Sequence, residues 1–159
     1  MRQKTRTLLA LAAAGFVLFL IVRFVVTPYI VVGDSMLPTL KSWDFCLMAR
    51  VHAYQPKRGE IVMFRTADDP PLYFIKRVVG LPGETVAIRR GAVRINDETL
   101  DEPYVKTNPA WEMEPVRVPA DKVFVLGDNR GVELDETLHG LVAMRLVKTR
   151  MLWRWRWKK

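Results

Sequence analysis

The sequence is poor in the residues that build disulfides and metal sites. Cys46 is the only cysteine among 159 residues, so no intrachain disulfide can form. His52 and His139 are the only histidines, and neither belongs to an HExxH or similar ligand pattern. The composition therefore predicts a protein that uses no metal and no other cofactor.

Acidic residues are missing from both ends of the chain. Residues 1–26 carry four basic residues, residues 145–159 carry seven, and neither segment carries an acid. The middle holds the other 14 basic residues and all 17 acidic ones. The overall charge of +8 thus lies beside apolar and aromatic residues. This favours an anionic membrane face over nucleic acid as a partner.

The longest apolar run lies at the N-terminus. Residues 8–26, interrupted by Arg23, would form about 28 Å of helix, close to the thickness of a bilayer core. The basic residues before this run predict a cytoplasmic N-terminus, with the rest of the chain across the membrane. A cleavable signal peptide and a buried core helix are the alternatives. We predict an uncleaved single-pass anchor, because no small-x-small site follows Val26.

The remainder shows a period near two and no helical periodicity, which predicts an all-β, mostly antiparallel domain over residues 27–150. Arg90-Gly91 predicts a tight hairpin. Residues 97–118, with three prolines, predict a long loop, either shaping a cleft or running over the surface. The predicted strands are 44–51, 60–65, 72–79, 85–89, 92–95, 122–126 and 141–150.

The C-terminal tail, residues 151–159, alternates Trp with Arg and ends in two lysines. As a strand it would place its indoles on one face and its cations on the other. Trp favours the membrane interface and the cations suit anionic lipid, so membrane contact is expected. The alternative is a last strand that packs its tryptophans on the domain.

Ser35 lies on the turn Gly33-Asp34-Ser35-Met36, a few residues after the anchor. A serine hydroxyl is a weak nucleophile and needs a base within hydrogen-bond reach. A turn serine that bonds only its own backbone is the alternative.

Lys76 is the candidate base. On the predicted strand 72–79 it shares a face with Leu72, Phe74 and Val78, since alternate side chains point the same way. Burial among apolar groups lowers the pKa of a lysine, so its amine can be neutral, whereas Arg77 stays protonated. An edge-strand lysine that reaches solvent is the alternative.

A third motif, Gly127-Asp128-Asn129-Arg130, directly follows an apolar strand. Its carboxylate and amide can lock the turn through local hydrogen bonds, leaving Arg130 for a carboxylate such as Asp135. The pattern indicates a support for the wall of the site rather than a source of chemistry.

Together the three motifs resemble those of the type I (leader) signal peptidases, membrane-bound Ser/Lys proteases, over roughly residues 5–148. The resemblance implies a β catalytic domain that removes signal peptides from exported preproteins after small residues at −1 and −3. Ser35 would be the nucleophile, Lys76 the general base, and the backbone N–H of Ser35 an oxyanion donor. The other motif positions would form the active-site scaffold: Gly33, Asp34, Met36, Pro38, Gly127, Asp128, Asn129, Arg130, Asp135 and Gly140.

The resemblance also implies partners and a location. The partners would be signal peptides, bound as an added extended strand, and membrane phospholipid, which the apolar surface of the domain would enter. We expect a monomer without a nucleic-acid partner. The catalytic domain would lie on the outer, periplasmic or extracellular, side of a bacterial inner membrane.

The last motif departs from the family pattern. Glu133 stands where the family has a serine that orients the lysine, and Glu136-Thr137 replace a Ser-Arg pair. A carboxylate near Lys76 would raise its pKa and oppose its role as a base. Glu133 either points away or marks a divergent enzyme.

Other classes stay open at this point. One is a maturation peptidase for a single substrate, of the conjugation-pilin or organelle inner-membrane type. Another is a non-catalytic paralogue that binds signal peptides and regulates their processing. A self-cleaving stress-response repressor also uses a Ser/Lys pair, but it carries a DNA-binding domain where this chain has its apolar run.

Overall fold

The computed structural model describes residues 2–107, 110–131 and 140–156. It begins with helix α1 (Arg2–Phe24), whose apolar side chains are exposed. The segment Gln3–Phe24 is long and apolar enough to cross a membrane. A signal sequence has the same character, so retention of the helix as an anchor stays a prediction.

Eleven strands follow within the described residues, and every paired neighbour is antiparallel. This confirms the expected all-β domain after a single apolar helix. The strands are β1 (Val26–Ile30), β2 (Phe45–Arg50), β3 (Ile61–Arg65), β4 (Tyr73–Gly80), β5 (Thr85–Arg89), β6 (Ala92–Ile95), β7 (Glu98–Thr99), β8 (Met113–Arg117), β9 (Lys122–Leu126), β10 (Gly140–Ala143) and β11 (Val147–Trp155).

The strands form two sheets. The larger has the order β1-β2-β11-β3-β4-β9-β10, and the smaller has the order β7-β6-β5-β8. The predicted hairpin at Arg90-Gly91 joins β5 to β6 and is confirmed, with φ of 49° and 77° at its two residues. Both values lie in the left-handed region that tight hairpin turns require.

The predicted strand 141–150 is wrong in one respect. A 3-10 turn, Met144–Leu146, divides it into β10 and β11. The reason is topological: β10 pairs with β9 at the sheet edge, whereas β11 lies between β2 and β3 in the middle. The chain must therefore cross the sheet between the two strands.

Two strands that the sequence pattern missed contain prolines, Pro28 in β1 and Pro115 in β8. Each lies at the edge of its sheet, where a residue without an N–H is tolerated. The segment 97–118 is thus less irregular than expected, since it contributes β7 and β8 to the smaller sheet.

One core cluster positions the turn between β1 and β2. Met36 and Leu40 from that turn pack with Met48 of β2 and with Ile61 and Met63 of β3. All five side chains are nearly inaccessible to solvent. Apolar burial therefore anchors this turn on the larger sheet.

Candidate active site

Lys76 lies in the middle of β4, directly opposite Val62 of β3. Only 2% of it is exposed. Burial lowers the pKa of its amine to about 8, and the charge of Asp128 acts in the opposite direction. Among the described residues its ammonium forms no ion pair. Deprotonation of Lys76 near neutral pH therefore requires little free energy.

Ser35 lies on the turn between β1 and β2 and is half-buried. It lines the same cleft as Lys76, a groove of about 360 Å³. One wall comes from residues 29–36, and the opposite wall comes from Met63 and from residues 73–76. Two residues separated by forty residues of sequence thus line one cavity, with the nucleophile candidate on a turn and the base candidate on a strand.

The backbone of the turn requires glycine at position 33. Gly33 has φ of 97°, in the region that disfavours residues with a Cβ. Its N–H donates to Ser42 Oγ at 2.9 Å. Ser42 also donates to Asp34 Oδ1 at 3.4 Å, so these contacts hold the start of the turn.

The Gly-Asp-Asn-Arg motif follows β9 and reaches this turn directly. The N–H of Asn129 donates to the carbonyl of Ser35 at 3.0 Å, and its side-chain amide donates to the carbonyl of Asp34 at 3.1 Å. Asp128 accepts two hydrogen bonds from Arg77, at 2.8 and 2.6 Å. The motif therefore fastens the serine turn to the strand that carries Lys76.

Arg130 has a partner that the sequence did not predict. Its guanidinium pairs with Glu102 at 2.6 and 3.2 Å, and its Nε donates to the carbonyl of Gly127 at 2.9 Å. Asp135, the expected partner, lies outside the described residues, as do Glu133 and Glu136-Thr137. Gly140 begins β10 with φ of 118°, another conformation suited to glycine.

Glu102 also connects Arg130 to the Arg77 site. Tyr104 donates its hydroxyl to Glu102 at 2.8 Å, and its ring lies 3.9 Å from the guanidinium of Arg77. Nothing in the local sequence marked Glu102 or Tyr104, because they lie in the irregular, proline-containing segment.

Arg156 is a second residue that sequence reasoning missed. It follows β11, and its Nη2 donates to Asp44 Oδ2 at 3.0 Å and to the carbonyls of Pro38 and Thr39 at 3.1 and 3.0 Å. Burial acts to raise the pKa of Asp44, but the hydrogen bonds from Arg156 and from the Lys41 backbone lower it below its usual value. Arg156 thereby ties the end of the chain to the turn that carries Ser35.

The tail therefore has two parts in the described residues. Trp153 and Trp155 belong to β11, with ring centroids 5.7 Å apart, and each is 50% exposed. Arg156 turns inward to Asp44. The shared face of the two indoles agrees with the strand pattern, whereas the inward arginine does not follow from it; Trp157 to Lys159 lie outside the described residues.

Comparison with known proteins places the sequence in a family. The family model described as "Signal peptidase, peptidase S26" matches residues 4–157. The "Probable signal peptidase I-1" of Synechocystis sp. is 35% identical over 154 residues, which cover 91% of this chain and 79% of that protein. Signal peptidase I S of Bacillus subtilis is 36% identical over 139 residues, or 79% of this chain and 74% of that one.

Two further matches cover a smaller share of this chain. Signal peptidase I of Leptolyngbya laminosa is 40% identical over 128 residues, and the match spans 75% of this chain but only 63% of that one. The crystal structure of a signal peptidase I from Enterococcus faecalis V583 is 30% identical, with a TM-score of 0.48, over 60% of this chain and 96% of that one. On the match of the family model to nearly the whole sequence, this chain belongs to the signal peptidase family, peptidase S26.

Proposed function

We propose that this protein is a membrane-anchored serine endopeptidase that removes signal peptides from exported preproteins, with Ser35 and Lys76 as its catalytic dyad. The observation that carries this proposal is the cleft that Ser35 shares with a nearly inaccessible lysine whose pKa is lowered to about 8. A lysine in this state exists partly as the free amine at neutral pH and can act as a general base.

In the proposed reaction, the Ser35 hydroxyl attacks the scissile carbonyl while Lys76 takes its proton. The lysine then gives that proton to the departing amine, leaving an acyl-enzyme that water hydrolyses. The N–H of Ser35 is available for the oxyanion, because among the described residues it donates to no acceptor. Asp128 does not compete strongly for Lys76, since Arg77 already engages both its oxygens.

The shape of the cleft supports an extended substrate. Strand β1 lies at the edge of the larger sheet, and the cleft begins along its end at Tyr29 and Ile30. An edge strand offers unpaired backbone groups to an added peptide strand. The modest volume of about 360 Å³ suits the small residues that the family accepts at −1 and −3.

The proposed placement follows from helix α1 and the charges around it. The helix would cross a bacterial inner membrane once, with its basic N-terminus in the cytoplasm and the strands on the outer side. The half-exposed Trp153 and Trp155 would contact phospholipid at the interface. We propose a monomer, since the cleft is complete within one chain.

Cleavage of a purified preprotein by the full-length protein in detergent tests the proposal. We expect a cut after a small-x-small site, identified by N-terminal sequencing of the product. Ser35→Ala and Lys76→Ala should each lower kcat/KM by roughly a thousandfold or more, because the dyad acts as a unit. Lys76→Arg should be equally inactive, since a guanidinium stays protonated.

Matched controls are available away from the cleft. Lys106→Ala and Thr99→Ala alter exposed residues and should leave the rate unchanged. Cleavage that survives Lys76→Ala would exclude this lysine as the base. A protein that binds several preproteins but cuts none would instead be a regulatory paralogue, and one that cuts a single preprotein would be a specialised maturation peptidase.

A further inference from the structure

A larger cavity, of about 650 Å³, lies beside the catalytic cleft. The two share Tyr29, Met63 and Tyr73 in their walls. The rest of the larger cavity is built by β1, by the segment that follows β2, and by the 3-10 turn with the start of β11. Neither Ser35 nor Lys76 lines it.

The charged lining of this cavity is entirely basic. Arg50, Arg145 and Lys148 line it together with His52, and no aspartate or glutamate does. In the described part of the chain, none of the three cations forms an ion pair. Three neighbouring cations without a counter-charge create a positive potential that attracts an anion.

Two of these cations make uncharged side-chain contacts beside the cavity. Arg50 Nε donates to Thr27 Oγ1 at 2.9 Å, and Lys148 Nζ donates to the carbonyl of Arg145 at 3.4 Å. Glu60 accepts a hydrogen bond from Tyr54 of the cavity wall, but the Glu60 carboxylate already pairs with Arg150. It is therefore not free to neutralise the cluster.

The cavity is also adjacent to the end of helix α1. Val25 directly follows the helix and donates to the carbonyl of Ile21 at 2.8 Å, and its own carbonyl accepts from the N–H of Arg50 at 2.9 Å. Val51, which follows Arg50, donates its N–H to the carbonyl of Lys148 at 3.0 Å. The backbone hydrogen bond from Arg50 to Val25 thus connects the basic cluster to the point where a spanning helix would leave the bilayer.

We propose that this cavity binds the headgroup of an anionic phospholipid, with Arg50, Arg145 and Lys148 around its phosphate. One guanidinium can donate hydrogen bonds to two oxygens of the same phosphate, and the lysine ammonium adds a compact positive charge. A headgroup with its own cation, such as phosphatidylcholine, would be disfavoured beside three positive side chains. The inference depends on the proposed membrane placement of helix α1, and it is independent of the Ser35–Lys76 dyad.

The test measures lipid binding by the full-length protein in a neutral detergent. Dihexanoyl-phosphatidylglycerol is titrated at about 0.15 M salt, where long-range screening is strong, and its affinity is taken from the rise in Tm. We expect Arg145→Gln/Lys148→Gln to weaken binding roughly thirtyfold, since each basic residue near a lipid surface contributes about a factor of five. The charge-preserving pair Arg145→Lys/Lys148→Arg should bind nearly as tightly as the parent.

Lys106→Gln/Arg117→Gln is the matched control, because it removes the same charge from exposed positions outside the cavity. Equal affinity of the parent and the Arg145/Lys148 double variant would overturn the site. Equal binding of dihexanoyl-phosphatidylcholine, or saturation by inorganic phosphate at the same concentration as by the lipid, would overturn its assignment to an anionic lipid. Because binding is read without catalysis, a failed cleavage assay would leave this result intact.

Discussion

At the scale of single residues, the proposed role of Lys76 as general base sets the pH dependence that we expect of the activity. Burial lowers its pKa from 10.5 to about 8, while Asp128 limits the shift. In the proposed dyad only the free amine can accept the proton of Ser35, so the active fraction of the enzyme would follow the titration of this one group.

We therefore expect kcat/KM to rise about tenfold per pH unit below pH 8 and to level off above it, because Lys76 titrates there. Initial rates with a labelled preprotein between about pH 6 and 10 measure this profile. A profile that is flat down to pH 6 would mean that Lys76 is not the base. Lys106→Ala should reproduce the parental curve.

Because it is buried, the charged form of Lys76 lowers the free energy of unfolding. The unfolded chain holds the proton more tightly than the folded one, so the penalty is full below about pH 8 and fades as the pH rises towards 10.5. We expect Lys76→Met to raise the free energy of unfolding by roughly 3 kcal/mol at pH 7, and to raise it less at pH 10. Denaturant titrations at both pH values check this, and a loss of stability at pH 7 would contradict it.

At the scale of elements, most strands were predictable from local pattern, since alternation of apolar residues reports the buried face of a strand. The hairpin at Arg90-Gly91 follows from turn chemistry alone. Strands β1 and β8 were not predictable in this way, because a proline argues against a strand unless that strand is known to be an edge. The 3-10 turn before β11 was likewise hidden within a continuous apolar pattern.

Arg156, directly after β11, joins this strand to the turn before β2, because it donates to Asp44 and to the carbonyls of Pro38 and Thr39. We expect Arg156→Ala to loosen the Ser35 turn and lower kcat about tenfold, with a smaller change in KM. It should also lower stability by about 1–3 kcal/mol, since the Asp44 carboxylate loses its ion-pair partner and keeps only the hydrogen bond from the Lys41 N–H. Full kinetics and thermal unfolding measure the two effects.

Arg156→Lys keeps the charge without the paired geometry and should recover part of kcat. Arg117→Ala, at an exposed position of β8, provides the control. An unchanged kcat in Arg156→Ala would show that the contact is only structural.

At the scale of the whole molecule, the basic N-terminus and helix α1 predict one orientation in the membrane. The only native cysteine, Cys46, is buried and should not react with a maleimide. In a Cys46→Ala background, we expect Thr99→Cys to be labelled by an impermeant maleimide from outside the inner membrane. Gln3→Cys should be labelled only after permeabilisation, and the reverse pattern would refute the orientation.

The sequence by itself determined the apolar span, most strands and the three motifs around Ser35, Lys76 and Asp128, because each is a local pattern of burial or turn chemistry. Only the tertiary structure decided which charged groups meet. Arg130 pairs with Glu102 and Arg156 with Asp44, across 28 and 112 residues, and the cations of the larger cavity come from separate elements. Long charged side chains carry no periodic signal, so their partners depend on which distant segments the fold places beside them.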